Sequence, residues 1–293
     1  MSETAQIGII GGSGLYDMEG LTDVKEVEVR TPFGVPSDAL RVGRLEGRSV
    51  AFLARHGRGH RILPHELNAQ ANIYAMKTLG VEWLLSVSAV GSLRADFEPM
   101  HMVLPDQFVD RTRQRASSFF GRGLVAHVAF AHPTSTPLRG ILEQACREVG
   151  ATVHVGARYV CIEGPLFSTL AESELYRSWG MDLVGMTALP EAKLAREAEI
   201  SYATLAMVTD YDCWHPDHES VTTEQILANL SANSAAAKAV LRAAVARIPP
   251  AGDPLRKQCE AYEALRTALV TAPELVPEQV KRDLAPLIQS YMR

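Results

Sequence analysis

What the chain lacks narrows its function first. Its 293 residues hold only four cysteines, Cys146, Cys161, Cys213 and Cys259, and no two form a CxxC pair. Scattered thiols of this kind argue against a disulfide framework and point to a reducing, cytoplasmic setting. No stretch of about 20 uncharged apolar residues occurs, so no membrane-spanning helix is expected. The opening MSETAQ is polar and short, unlike a secretory leader. The basic excess carried by nucleic-acid binders is missing too, the net charge being −5. A small anion can still bind, because one local site can be positive on an acidic protein. A hydrophobic fraction of 47% beside 22% charged residues excludes a disordered or collagen-like chain. A chain of this length buries a core without disulfides or structural metal.

The apolar patterning alternates strands with helices. Residues 6–10 (QIGII) read as a buried strand entering the turn Gly11-Gly12-Ser13-Gly14. Residues 66–79 carry helical spacing that Gly80 stops. A second buried strand, 81–87, runs into Ser88-Ala89-Val90-Gly91-Ser92. Leu138, Ile141, Leu142, Ala145 and Val149 form one face of a helix ending at Gly150. Further helices are expected at 170–179 and 190–199, and a strand at 202–208 leads to Thr209-Asp210-Tyr211-Asp212. This order implies an α/β fold around a central sheet. Ligands in such folds gather beyond the carboxyl ends of strands. Three strand ends, at 11–14, 88–92 and 209–212, are unusually glycine-rich or polar, which locates the site. The proline-rich linker from Pro249 to Pro254 separates residues 1–248 from a tail, 249–293, with helices expected at about 255–271 and 277–292.

Each motif has two readings on local grounds. Gly11-Gly12-Ser13-Gly14 falls short of a dinucleotide fingerprint, because position 17 is Asp, and no Gly-Lys-Ser phosphate loop is present. What remains is a nest of backbone N–H groups with one hydroxyl, suited to an oxyanion, or simply a tight turn. In Arg55-His56-Gly57-Arg58-Gly59-His60, Arg offers a bidentate fork to phosphate and His a second donor; the alternative is a solvated basic loop. A zinc pair is disfavoured there, since the two glycines oppose a helix and no HExxH glutamate is present. His215-Pro216-Asp217-His218 lacks a third nearby soft ligand and reads as a surface loop. Phe167, after the rigid turn Gly164-Pro165, reads as core or as a platform for a planar base, core being preferred locally. Asp210 and Asp212 share a face if the backbone is extended. Two carboxylates past a buried strand need a proton or a donor, unless they merely cap the next segment.

Together these segments resemble the purine nucleoside phosphorylase superfamily, in particular its methylthioadenosine phosphorylase branch. The resemblance spans about 6–247 and rests on IGIIGGSGLYD, TPFGVPSDAL (31–40), ARHGRGH (54–60), SAVGSLR (88–94), DQFVDRT (106–112), IEGPLFSTLAES (162–173), GMTALPEAKLARE (185–197) and TDYDCW (209–214). It implies a single-domain nucleoside phosphorylase fold over 1–248, a twisted, mixed and partly barrel-like sheet surrounded by helices. Homotrimers with sites at subunit interfaces are implied as well. Ser13, Arg55, His56, Ser88, Ala89 and Thr187 match phosphate-holding positions. Met186 matches the ribose contact, Phe167 the stacking residue, and Asp210 and Asp212 the purine carboxylates. His127 matches a residue that a neighbouring subunit lends to the 5′ pocket.

The implied reaction is phosphorolysis of a 6-aminopurine 5′-thionucleoside, S-methyl-5′-thioadenosine, in methionine and purine salvage. Asp210 would be the general acid, phosphate the co-substrate, and neither metal nor organic cofactor is called for. Adenosine, 5′-deoxyadenosine and 6-oxopurine nucleosides such as methylthioinosine are the alternatives. Asp210 and Ser168 favour a 6-aminopurine, because 6-oxopurine branches typically carry Asn and Glu at these places. Thr223 stands where an apolar residue often lies near the 5′ group, so it bears on 5′ selectivity. Leu166 and Leu170 replace Arg, and the tail after 254 also departs from the pattern. A hydrolytic nucleosidase or a non-catalytic nucleoside-binding module are the competing classes.

Overall fold

In a computed structural model of the chain, which describes residues 3–12, 15, 18–216 and 223–292, the first apolar run becomes strand β1 (Ile7–Gly11). Side chains at 223–227 and 230 fall outside that description. The order continues with β2 (Thr22–Val27), β3 (Leu40–Leu45), β4 (Arg48–Ala54), α1 (Ala69–Thr78), β5 (Trp83–Ser92), β6 (Met102–Leu104) and β7 (Gln107–Arg111). Then come α2 (Thr136–Glu148), β8 (Val153–Val155), β9 (Arg158–Ile162), α3 (Leu170–Ser178), β10 (Leu183–Gly185), α4 (Ala188–Glu197), β11 (Ser201–Asp210), α5 (Thr223–Arg247), α6 (Glu278–Asp283) and α7 (Ala285–Ile288).

The strands form one mixed sheet in the order β2-β3-β4-β1-β5-β10-β9-β7, with β11, β6 and β8 branching from β5. β5 is the fork. It pairs parallel to β1 and β11 and, at its far end, antiparallel to β10. That double engagement corrects the expectation of a strand ending at residue 87. Ser88 to Ser92 stay in the ladder, because β11 pairs with 88–91 and β10 with 91–92.

Alternation along β1 shows how the sheet is covered. Ile10 joins the cluster with Ile73 of α1, Leu194 of α4 and the tail. Ile7 and Ile9 join the other face, with Leu138 and Leu142 of α2 and Val240 and Leu241 of α5. Both faces are therefore roofed by helices, and the strands that carry the site are largely buried.

The tail corrects a second expectation. Residues 255–271 are not one helix; after a 3-10 segment, Pro254–Gln258, they run as consecutive turns. Their shape is dictated by docking. The Val270 N–H donates to the Val125 carbonyl and the His127 N–H to that of Ala268, both at 2.9 Å. Tyr74 reaches the Asp283 carbonyl at 2.7 Å, and Tyr291 donates to Glu199 Oε1 at 2.7 Å. Leu265, Leu284 and Ile288 sit in the same cluster as Ile10. The tail thus packs on its own chain's body. Truncating Leu284, which is fully buried, to Ala is expected to cost about 2–5 kcal/mol of global stability. Denaturant melts check this; an unchanged main transition would mean that the tail folds apart from the body.

Candidate active site

A cavity of about 310 Å³ opens beyond the carboxyl ends of β1, β4, β5, β10 and β11. Of the residues singled out from the sequence, it gathers Arg55, His56, Ser88, Ala89, Phe167, Ser168, Met186, Thr187, Asp210 and Asp212. One end is lined by Gly12, His56, Ser88 and Thr187, the other by Phe167, Ser168, Asp210 and Asp212.

At the first end the strongest feature is a buried ion pair. Arg55, the residue after β4, lines the cavity, and its guanidinium is gripped by buried partners. Its Nε and Nη2 grip Glu191 at 2.9 and 3.1 Å. Nη1 donates to the Val87 carbonyl at 2.7 Å, and Nη2 also to Ser86 Oγ at 2.7 Å. Burial opposes the guanidinium charge, but Glu191 more than restores it, so the group stays ionised. Glu191 Oε1 further accepts from Ser86 Oγ at 2.6 Å and from Tyr202 Oη at 3.0 Å. The fork that the sequence offers to an anion also holds a carboxylate 136 residues away.

His56 is also committed. Its Nδ1 lies 2.9 Å from the Ile62 carbonyl, and its ring stacks on His60 with centroids 4.4 Å apart. Burial, with Arg55 and His60 close by, lowers its pKa to about 4, so the ring is neutral at pH 7. The hydroxyls of Ser88 and Thr187 meet at 3.4 Å. Thr187 begins α4, yet its hydroxyl makes no capping bond to that helix.

The second end is built by a bulge. β11 pairs residue for residue with β5 up to Val208, and then Asp210 rather than Thr209 faces Gly91. The extra residue turns Thr209 and Asp210 both onto the cavity, which strict alternation would forbid. Gly91 makes room: a Cβ there would come within 3.0 Å of Asp210 Oδ1. Asp212 joins them through a left-handed backbone, φ +53°, not through the extended geometry read from sequence.

Asp210 Oδ2 accepts from Thr209 Oγ1 at 2.7 Å and Oδ1 from the Asp212 N–H at 2.8 Å. Burial nevertheless raises its pKa to about 6, helped by the Asp212 charge. Asp212 is raised as well, again by burial, with the hydroxyls of Ser173 and Ser168 opposing the shift. Phe167 is 47% exposed and lines the cavity, so the preference for a core role is corrected. Leu166 beside it is 82% exposed.

Other expectations fall elsewhere. Ser13 lies outside the described residues, as do the Thr223 side chain and, of the 215–218 motif, Asp217 and His218. His127 is exposed and does not line this chain's cavity. Among the described residues no cluster of three or more His, Cys, Asp or Glu is placed to hold a metal. The sequence reading missed Glu191, although it sits in the quoted GMTALPEAKLARE, and it missed Arg115. The Arg115 Nη1 donates to the carbonyls of Met186 and Leu189 at 2.6 and 2.9 Å, fixing the backbone that presents Met186.

The sequence profile of the Phosphorylase superfamily matches residues 6–246. An S-methyl-5′-thioadenosine phosphorylase from Gloeobacter violaceus is 59% identical over 98% of this chain and 96% of its own length. One from Koribacter versatilis is 56% identical, over 98% and 97%. Among solved structures, a methylthioadenosine phosphorylase from an antarctic soil metagenomic library superposes with a TM-score of 0.92 at 49% identity, covering 98% of this chain and 100% of that one. A methylthioadenosine phosphorylase from Schistosoma mansoni in complex with adenine gives 0.83 at 34% identity, covering 98% and 99%.

Replacing Glu191 by Ala would strand a buried guanidinium. A loss of about 3–5 kcal/mol is expected, read by thermal or urea melts. A near-neutral result would show that Arg55 does not depend on this partner.

Proposed function

The chain belongs to the phosphorylase superfamily, and on that premise we propose that it cleaves S-methyl-5′-thioadenosine with inorganic phosphate. The products are adenine and S-methyl-5-thio-α-D-ribose 1-phosphate. The observation that carries this reading is the two-ended cavity, hydroxyls and backbone at one end and two carboxyls with raised pKa values at the other. Relatives at 59% and 56% identity bear the matching name.

In this reading phosphate lies against Gly12, Arg55, His56, Ser88, Ala89 and Thr187, with Ser13 completing the nest. Phosphate oxygen attacks the anomeric carbon as the bond to the purine nitrogen breaks. The bonding pair leaves with the purine, which needs a proton at N7. Asp210 supplies it, because burial keeps a protonated fraction near neutral pH that an exposed carboxyl would lack. Asp212, whose carboxyl pKa the Ser168 and Ser173 hydroxyls moderate, recognises the purine edge. Phe167 stacks on the base, and the Met186 backbone meets the ribose. Positioning and charge stabilisation carry the rest of the rate. Neither metal nor organic cofactor takes part. We infer further that the chain works in the cytoplasm as a homotrimer or a dimer of trimers, in which a neighbouring subunit's His127 reaches the 5′ group and Thr223 tunes its selectivity. Nucleic acid and membrane are not partners; among the described residues no helix is long and apolar enough to cross a bilayer.

One chromatography panel tests the reaction. Methylthioadenosine, adenosine, 5′-deoxyadenosine, methylthioinosine and inosine are incubated with and without phosphate. Adenine released from methylthioadenosine only when phosphate is present is the expected result. Release without phosphate would make the protein a hydrolase.

The acid has its own signature. Its pKa is raised, so the donating form prevails below about 6 and is lost as pH rises through that value. kcat/KM is expected to fall on that limb. Asp210→Asn should remove the limb, slow methylthioadenosine by about 10²–10⁴, and move preference toward methylthioinosine. An unchanged pH profile and base preference would take the acid role from Asp210.

A further inference from the structure

The cavity opens where two paired strands part. β9 and β10 run parallel up to the pair of Cys161 with Gly185, and the ladder ends there. Beyond it one strand end leads to Phe167 and the other to Met186, and both residues line the cavity. The two walls touch as they separate: a Cβ on Gly164, which has φ +69°, would fall 2.6 Å from Met186 Sδ. Strand ends that leave a ladder carry carbonyls that need other donors.

One side chain supplies four of those bonds. Arg115 does not line the cavity, and its side chain is only 4% exposed. Nη1 donates to the carbonyls of Met186 and Leu189 at 2.6 and 2.9 Å. Nη2 donates to those of Glu163 and Ile162 at 2.6 and 3.3 Å. Each terminal nitrogen thus serves one wall, and the rigid plane between them fixes how far apart the walls stand. Glu163 Oε1 lies 3.5 Å from Nε without a hydrogen bond, so the guanidinium spends its hydrogen bonds on these two walls. The loop that bears Arg115 is itself pinned. The Arg113 N–H donates to Glu163 Oε2 at 2.6 Å and the Phe119 N–H to Glu197 Oε2 at 2.7 Å.

We propose that Arg115 is a positioning residue for the nucleoside. By joining the two strand ends it sets the spacing between Phe167, on which the base would stack, and Met186, whose backbone would meet the ribose. This deepens the phosphorylase reading and rests on it. A fixed spacing matters to a ligand that spans both walls and much less to one that meets the Phe167 end alone. It also aligns the sugar with the attacking phosphate, where a displacement of about 1 Å can cost about 10²-fold in rate.

The test compares Arg115→Ala and Arg115→Lys with the wild type, after thermal melts have shown which variants fold. Titration calorimetry reads methylthioadenosine without phosphate, and adenine separately. Arg115→Ala should bind methylthioadenosine at least about tenfold more weakly while adenine stays within about threefold. With phosphate present, kcat/KM for methylthioadenosine should fall about 10²-fold. Millimolar guanidinium chloride should restore nucleoside affinity to Arg115→Ala and leave the wild type unchanged, whereas equal sodium chloride should restore nothing. Arg115→Lys keeps the charge but is a point donor that cannot serve both walls, so it should lie between the two. Should Arg115→Ala fail to fold, Arg115→Lys carries the test through the same contrast of ligands. A folded variant in which both ligands weaken equally, or neither weakens, overturns the proposal. A wild type that cleaves without phosphate, or not at all, ends the phosphorylase reading, while the contrast between nucleoside and base, read as Kd or as KM and inhibition constant, still decides on Arg115. A wild type that binds neither ligand overturns both.

Discussion

The Arg55–Glu191 pair is the constraint on which the site depends. It ties four separate places in the chain together: the end of β4, Ser86 on β5, Tyr202 on β11 and the first turns of α4. Taking two charges out of water is costly, and a buried pair is weak evidence of net stability. What it gives here is position. Glu191 lies four residues after Thr187 and five after Met186, so gripping Arg55 sets where those residues meet the cavity. Arg115 holds the same segment from the other side through the Met186 and Leu189 carbonyls.

The parallel pair β5–β11 carries the chemistry along its length. It runs from the hydroxyl of Ser88 to the carboxyl of Asp210, and the bulge at Thr209 lets two successive side chains face one way. Such a defect is tolerated because α5 catches the freed backbone. Asn229 and Asn233 donate to the carbonyls of Thr209 and Val208 at 2.6 and 3.0 Å. Fold and site are inseparable at this point. Restoring strict alternation would turn Thr209 or Asp210 away from the purine end.

Much of this was legible in the sequence, and the failures share a cause. Strands, glycine stops and the three polar strand ends follow from local periodicity, and the cavity lies where those ends converge. β5 was cut short at residue 87 because a Ser-Ala-Val-Gly-Ser run looks like a turn until both neighbours of the strand are known. The 255–271 segment has helical spacing, yet its backbone is bent by docking to Val125 and His127. Arg55 looked like an open anion fork because its partner is 136 residues away. Phe167 looked like core because aromatics usually are, whereas only the tertiary arrangement leaves it 47% exposed at a cavity. The resemblance carried residue roles that local reading left open, but Glu191, which touches no ligand in that scheme, lay outside its reach.

The pairing of Arg55 with Glu191 at one end of the cavity and a raised carboxyl pKa at the other belong to the same design problem. A free cation beside the phosphate would bind a dianion more tightly, but its field would reach along a buried cavity where screening is weak. It would favour ionised Asp210 and lower the pKa that burial has raised. The proton needed by the leaving purine would then be scarce near neutral pH. Pairing Arg55 with Glu191 keeps the guanidinium as a structural anchor while withholding its charge from Asp210. A neutral His56 follows the same logic, since an imidazolium would exert the same pull. Among the described lining residues, one end then presents hydroxyls and backbone, and the carboxyl end is left to hold its proton.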